Sequence, residues 1–278
     1  MLTIAGSDSS GGAGIEADLR TFAALGVHGA VALTAVTAQN TLGVFAVLPV
    51  EPEMVRAQVE AVGDDLVVAA TKAGMLARPA TVRTVASLAQ EGRLPRLVVD
   101  PVLVSSTGHL LMEDGGVDAY REALFAQALV VTPNLREAAV LLGKDVASFR
   151  TIDDMAAAGR SLLSMGPRCV VVKGGHHVAG TATASGAPDV VVTADDVVTV
   201  DGPRVPTRND HGTGCSLAAA IAVGLAEGLS PLGAVQRAKR FVADALQGAA
   251  GWRLGAGHGP IDHLGWGRVA HPLDVSPR

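Results

Sequence analysis

The strongest constraint on the fold is a succession of short, Val-rich apolar runs that do not alternate with polar residues and are separated by stretches of helical period. Such runs suit strands buried on both faces. Strand–helix alternation along a whole chain predicts a mostly parallel central sheet between two helical layers, an α/β sandwich. The expected strands cover residues 2–5, 31–37, 67–72, 97–100, 129–132 and 170–173, and the expected helices 15–25, 53–62, 80–90, 135–142, 153–165 and 217–226. Residues 44–50 read as a short extra strand ending at Pro49, placed in a flap over the sheet edge. With 278 residues, 49% of them hydrophobic, the chain can bury one large core. Residues 1–270 are therefore expected to form one domain. The polar, Gly-containing stretch 178–189 is expected to be a mobile surface loop, and the tail 271–278, with two prolines, to fray.

Charge and cysteine content narrow the function classes. The net charge of -5 comes without clustered Lys or Arg, which argues against nucleic acid and anionic membranes as partners. Cys169 and Cys215 make neither a metal-ligand spacing nor a disulfide framework, which suits a reducing cytoplasm. No basic residue precedes the apolar run 2–5, so no signal peptide is expected, and the apolar helix 217–226 is too short to span a bilayer.

Directly after the first strand comes Gly6-Ser-Asp-Ser-Ser-Gly11-Gly12-Ala-Gly14-Ile-Glu-Ala17, in which Gly12, Gly14 and Ala17 satisfy the dinucleotide fingerprint. An NAD site also needs an acid at the end of the second strand to hold the ribose. That strand ends Thr37-Ala-Gln-Asn40 and the next acid is Glu51, which argues against a dehydrogenase. On the following helix, Asp18 falls inside the apolar arc of Ile15, Leu19, Phe22 and Leu25. An inward carboxylate must find a donor, either the backbone at the helix start or a ligand. Gln39, at a strand's C-terminal end, offers donors and an acceptor that suit the edge of an aminopyrimidine or pyridine ring, unless a turn uses them. Met75 follows a strand end and would give either an adaptable wall to a flat ring or simply core.

A second Gly-rich loop, His211-Gly212-Thr213-Gly214-Cys215, opens the apolar helix. Backbone N–H groups at such a helix start form an anion site. No Walker A sequence occurs, so phosphate would be held by this loop instead. Cys215, at the helix start, is expected to have a lowered thiol pKa and to serve as a base, whereas Cys169 reads as packing. Lys173, one of four lysines, ends a strand before two glycines and suits pairing with a transferred phosphoryl group. Asn134 and Glu137 read both as a helix cap and as neighbours of Mg²⁺, and Asp100 is another carboxylate placed for the metal.

Segments 4–18, 37–41, 71–76, 99–102, 132–138, 173–175, 211–215 and 257–260 together resemble, in order, the bacterial hydroxymethylpyrimidine and phosphomethylpyrimidine kinases of thiamine biosynthesis. The resemblance implies a ribokinase-like three-layer fold, ATP with Mg²⁺, a homodimer, and two successive phosphorylations of 4-amino-5-hydroxymethyl-2-methylpyrimidine. It also implies that Asp18, Gln39, Met75, Gly6 and Ala13 meet the pyrimidine, while Lys173 and the Gly212–Cys215 loop meet phosphate. Related sugar kinases carry an Asp at the place of Cys215. Many relatives carry a Lys near Ser106, where this chain reads Val104-Ser-Ser-Thr-Gly108, so Ser106 or Thr107 offers only a neutral hydrogen bond to a phosphate there. Pyridoxine kinase, which shares ring size and fold, is the nearest rival, and a pyrimidine sensor without turnover is the non-enzymatic one.

Overall fold

The computed structural model describes residues 1–104, 111–175 and 186–268. The loop around Ser106 and Thr107, most of the 178–189 stretch and the tail 271–278 lie outside them. The strands are β1 (Leu2–Ala5), β2 (Ala30–Leu33), β3 (Ala35–Asn40), β4 (Gly43–Pro49), β5 (Thr71–Ala73), β6 (Val98–Val99), β7 (Val130–Val131), β8 (Cys169–Lys173), β9 (Asp189–Thr193) and β10 (Val197–Val200). The helices are α1 (Gly14–Ala24), α2 (Pro52–Asp65), α3 (Pro79–Gln90), α4 (Gly116–Ala119), α5 (Leu135–Leu142), α6 (Ile152–Leu163), α7 (Thr213–Ala226) and α8 (Pro231–Ala249).

Eight strands form one sheet in the order β10-β9-β8-β7-β6-β5-β1-β2, parallel from β2 to β8 and antiparallel at β9 and β10. Within each strand successive residues point to opposite faces, and both faces are dry. Val99, Val131, Val170 and Val172 join a core with α2, α3, α5 and α6, while Val98, Val130, Cys169 and Val171 join a second core with α7 and α8. This two-sided burial is why the runs showed no alternation. It also confirms the three-layer expectation and places Cys169 in packing.

The expected strand 31–37 is in fact two. Thr34 hydrogen-bonds Ala5 O and Met75 O at the sheet edge, and the chain then leaves to form a separate β3–β4 ribbon. Facing positions of the ribbon alternate: Ala35 and Thr37 are buried, whereas Val36 and its partner Leu48 are exposed. The flap is therefore present, but it is built from both strands. β9, β10 and α8 lie beyond the expected elements.

The connectivity fixes where a ligand can bind. From β1 the chain runs outward to β2, whereas from β5 it runs the other way through β6, β7 and β8. The order reverses between β1 and β5, and open α/β sheets bind ligands outside the strands' C-terminal ends at such a point.

Candidate active site

Along that edge stand, in spatial order, Lys173 at the end of β8, Asn134 after β7, Asp100 after β6, Met75 after β5 and Gly6 after β1. Gly6 and Met75 flank the reversal. A β-carbon on Gly6 would lie 3.2 Å from the Met75 sulfur, so the glycine lets the thioether close the wall beside Ala35.

The first Gly-rich loop is organised around Asp8, a residue the sequence reading passed over. Its carboxylate accepts from the N–H groups of Ser10, Gly12 and Ala13 at 2.8 to 3.1 Å, and from His211 Nε2 at 2.7 Å. Burial alone would raise its pKa, but the His211 and Ser10 hydrogen bonds outweigh it and hold the carboxyl at about 2. Ser7 and Ser9 stitch the same loop to Thr37 and Gln39 of the flap. This brings Gln39 to 3.2 Å from His211 Nε2. The Asp-Ser-Ser-Gly order is itself an Asx-turn signal and would have found Asp8.

The second loop packs directly on the first. Gly212 has φ 86°, and any β-carbon there would collide with Gly12 O, so only glycine lets the two loops touch. The helix α7 starts at Thr213, and among the described residues the N–H groups of Gly214 and Cys215 find no acceptor. Segment 257–263 holds the loop from behind. His211 N bonds Gly259 O, and His263 Nε2 lies 2.7 Å from Ser216 Oγ, which donates to Gly212 O. Burial and Arg20 lower the pKa of His263 to about 4, so its ring is neutral.

Opposite the free amides lies a charged row. A β-carbon on Gly214 would sit 3.2 Å from Lys173 Nζ and 3.7 Å from Asp100 Oδ2. Lys173 Nζ contacts Asp100 Oδ1 at 2.7 Å and Glu137 Oε2 at 4.0 Å, and Thr132 also donates to Asp100 Oδ1. Burial disfavours the ammonium, but the two carboxylates more than compensate and raise the Lys173 pKa. Burial raises the Glu137 carboxyl to about 7, against the pull of Lys173 and with a further push from Asp100.

Three expectations change here. Asn134 and Glu137 form a reciprocal cap, with the Asn134 side chain accepting from Glu137 N at 2.9 Å, so Asn134 spends its oxygen on the helix. Among the described residues, no three His, Cys, Asp or Glu side chains converge on a metal position. Asp100 and Glu137 alone fit Mg²⁺, which commonly takes one or two carboxylates and keeps phosphate and water for the rest. Asp18 is fully buried and bonded to Lys72 Nζ at 2.8 Å and Thr3 Oγ1 at 2.6 Å, so its carboxylate is spent on the protein's own donors. The inward carboxylate did find donors, but they came from neighbouring strands. Last, the Cys215 thiol is raised to about 11 instead of lowered. Burial is the largest cause and Asp100 and Asp18 add repulsion, while Lys72 and the Gly14 N–H pull the other way and lose.

Comparison with known proteins identifies the family. The chain matches the phosphomethylpyrimidine kinase family over residues 8–262. It is 47% identical over 264 residues to the hydroxymethylpyrimidine/phosphomethylpyrimidine kinase of Rhizobium meliloti, covering 95% of this chain and 96% of that protein. Among solved structures it is similar to phosphomethylpyrimidine kinase from Clostridium difficile, with TM-score 0.76, 36% identity and coverage of 88% and 98% of the two chains. It is also similar to pyridoxal kinase from Staphylococcus aureus in complex with AMP-PCP and pyridoxal, with TM-score 0.83, 34% identity and coverage of 96% and 94%. The fold is ribokinase-like, the chemistry is phosphoryl transfer, and the chain belongs to the phosphomethylpyrimidine kinase family.

Proposed function

We propose that this chain transfers the γ-phosphoryl group of ATP to 4-amino-5-hydroxymethyl-2-methylpyrimidine and then phosphorylates the resulting monophosphate, giving the pyrophosphate used in thiamine biosynthesis. The observation that carries this reading is the juxtaposition of two acceptor-free amides, Gly214 and Cys215, with Lys173 and Asp100, on the same sheet edge as the Gly6–Met75 wall. The flat ring would lie against Met75 and the first loop, with Gln39 at its edge and Ala13 and Gly6 giving backbone-close contact. The hydroxymethyl oxygen would then face the anion loop.

In the first transfer the attacking oxygen is a neutral alcohol and must lose a proton. Cys215 is the base in this proposal. A thiol at about 11 is mostly protonated near neutrality, which costs several powers of ten in active base. A loose phosphoryl-transfer transition state reduces that demand, because bond breaking to ADP runs ahead of proton loss. Lys173 and the loop amides stabilise the charge on the moving phosphoryl group in both transfers. Mg²⁺, when bound with the nucleotide, would be held by Asp100 and Glu137, directly or through water, and would neutralise phosphate charge. In the second transfer the nucleophile is a phosphate oxygen, already anionic because its second pKa is about 6, and no base is needed.

The working form in this reading is a cytoplasmic homodimer with residues 1–270 as one kinase domain. Exposed Val36, Phe45 and Leu48 on the outer flap support an apolar contact between copies. Incubation with ATP and a panel of the pyrimidine, its monophosphate, pyridoxine and sugar alcohols, with mass detection, tests the function. Higher kcat/KM for pyridoxine than for the pyrimidine would overturn the substrate.

A further inference from the structure

Gln39 can read a ring edge only if its amide is held one way round, and the structure contains the device that would hold it. We propose that Asp8 and His211 are positioning residues that lock the Gln39 amide with its oxygen on the imidazole and its NH₂ turned toward the substrate pocket. This rests on Gln39 meeting the ring, as proposed above.

The argument is one of proton counting. His211 Nε2 has one position to give or accept a hydrogen. Asp8 Oδ2 lies 2.7 Å from it. Asp8 is almost wholly buried, accepts from three backbone N–H groups and is ionised, with its carboxyl held at about 2. An ionised carboxylate only accepts, so Nε2 carries the proton, whether the ring is neutral or charged. The Gln39 atom that lies 3.2 Å from Nε2 is the amide nitrogen, an orientation that differs from the alternative only by exchange of the amide N and O. With Nε2 already a donor, an NH₂ group there would put hydrogen against hydrogen. The amide oxygen instead accepts the longer branch of a shared hydrogen bond, a choice that amide N and O assignment must follow from the network.

Each member is itself fixed. The His211 ring lies over Gly12, where a β-carbon would come 2.5 Å from Cδ2, and His211 N bonds Gly259 O. Gln39 N is tied to Ser9 Oγ, and β3 is paired to β4. With its oxygen occupied, Gln39 shows the pocket donors only. It would select a ring edge that presents an acceptor, such as a pyrimidine nitrogen, over one that presents a donor.

Two measurements test this. In ¹⁵N-labelled protein, long-range ¹H–¹⁵N spectra should show His211 protonated at Nε2, and an Nδ1–H tautomer would sink the proposal whatever the substrate. Kinetically, His211→Phe keeps the ring and removes the donor. It should raise KM for the pyrimidine roughly tenfold, as expected for one lost buried hydrogen bond, with a smaller change in kcat and in KM for ATP. In a Gln39→Ala background the same substitution should add little to the pyrimidine KM. Additive effects, or a defect confined to ATP, would show that His211 acts through the anion loop and not through Gln39. If the pyrimidine fails as substrate, the Nε2 result and the nucleotide KM still separate this proposal from that failure.

Discussion

Cys215, in the first turn of α7, and Lys173, at the end of β8, line one site but should fail differently when removed. Cys215→Ala is expected to slow the first phosphorylation by about 10²- to 10⁴-fold, the range of a lost general base, and the second far less. Lys173→Ala should cost about a hundredfold or more in both. Single-turnover product mass separates the steps, and equal loss in both for Cys215→Ala would reduce the cysteine to a part of the anion loop. Because burial raises the thiol to about 11, the first step should climb roughly tenfold per unit between about pH 7 and about pH 9, while the second stays flat. Glu137 carries a stability signature of its own. Its folded carboxyl titrates near 7 against an ordinary 4.5, so the unfolded chain loses that proton first as pH rises. Its contribution to stability should therefore fall between about pH 4.5 and about pH 7, and Glu137→Gln, which can keep the cap, should flatten that slope in urea titrations. At this scale the sequence made the residue types and strand-end places of Lys173, Asp100 and Gln39 legible. It could not show the Asp8–His211 pair, whose members lie 203 residues apart, nor that Lys72 waits under Asp18. The direction of the Cys215 shift was misjudged because a helix terminus is visible in sequence and burial of the thiol is not.

The anion loop works as part of a larger element: α7, the loop before it and the 257–263 segment behind it. Gly212→Ala should push this loop off Gly12 and lower kcat/KM about a hundredfold, with the fold retained by circular dichroism. His263 tightens the same element from the far side. Its folded pKa of about 4 lies below the ordinary 6.5, so the unfolded chain binds the proton first, and stability from this ring should be lost as pH falls from about 6.5 to about 4. His263→Asn should remove most of that dependence in thermal melts. The apolar helix was legible because Ser216 to Leu225 are buried all round, between the sheet, α1 and α8. α8 escaped notice although Ser230 caps it and Pro231 opens it, the pattern of a helix start. The 31–37 run, Val-Ala-Leu-Thr-Ala-Val-Thr, read as one strand because Thr is itself a strand former and apolar residues flank Thr34 on both sides. Only the Thr34 side chain, bonded to Met75 O, marks where the chain leaves the sheet.

For the whole molecule, the three-layer architecture followed from strands buried on both faces, and the family from motifs spread over nearly all the chain. In the homodimer proposed above, the outer flap would make the contact between copies. Leu48→Asp should convert a dimer to monomer in light scattering while shifting the folding free energy by no more than about 0.5 kcal/mol, as for an exposed position; an unchanged mass would remove the flap contact. The contact between the two Gly-rich loops has a consequence for how the enzyme comes into being. Its halves leave the ribosome at opposite ends of synthesis, with Asp8 near the start and His211, Gly212 and Gly259 near the finish. Chains emerge at about 5–20 residues per second, so the early loop exists for many seconds without the partner that completes it. A nascent or prematurely terminated chain therefore has no formed pocket, and the capacity to capture a vitamin precursor arrives only with the last quarter of the polypeptide.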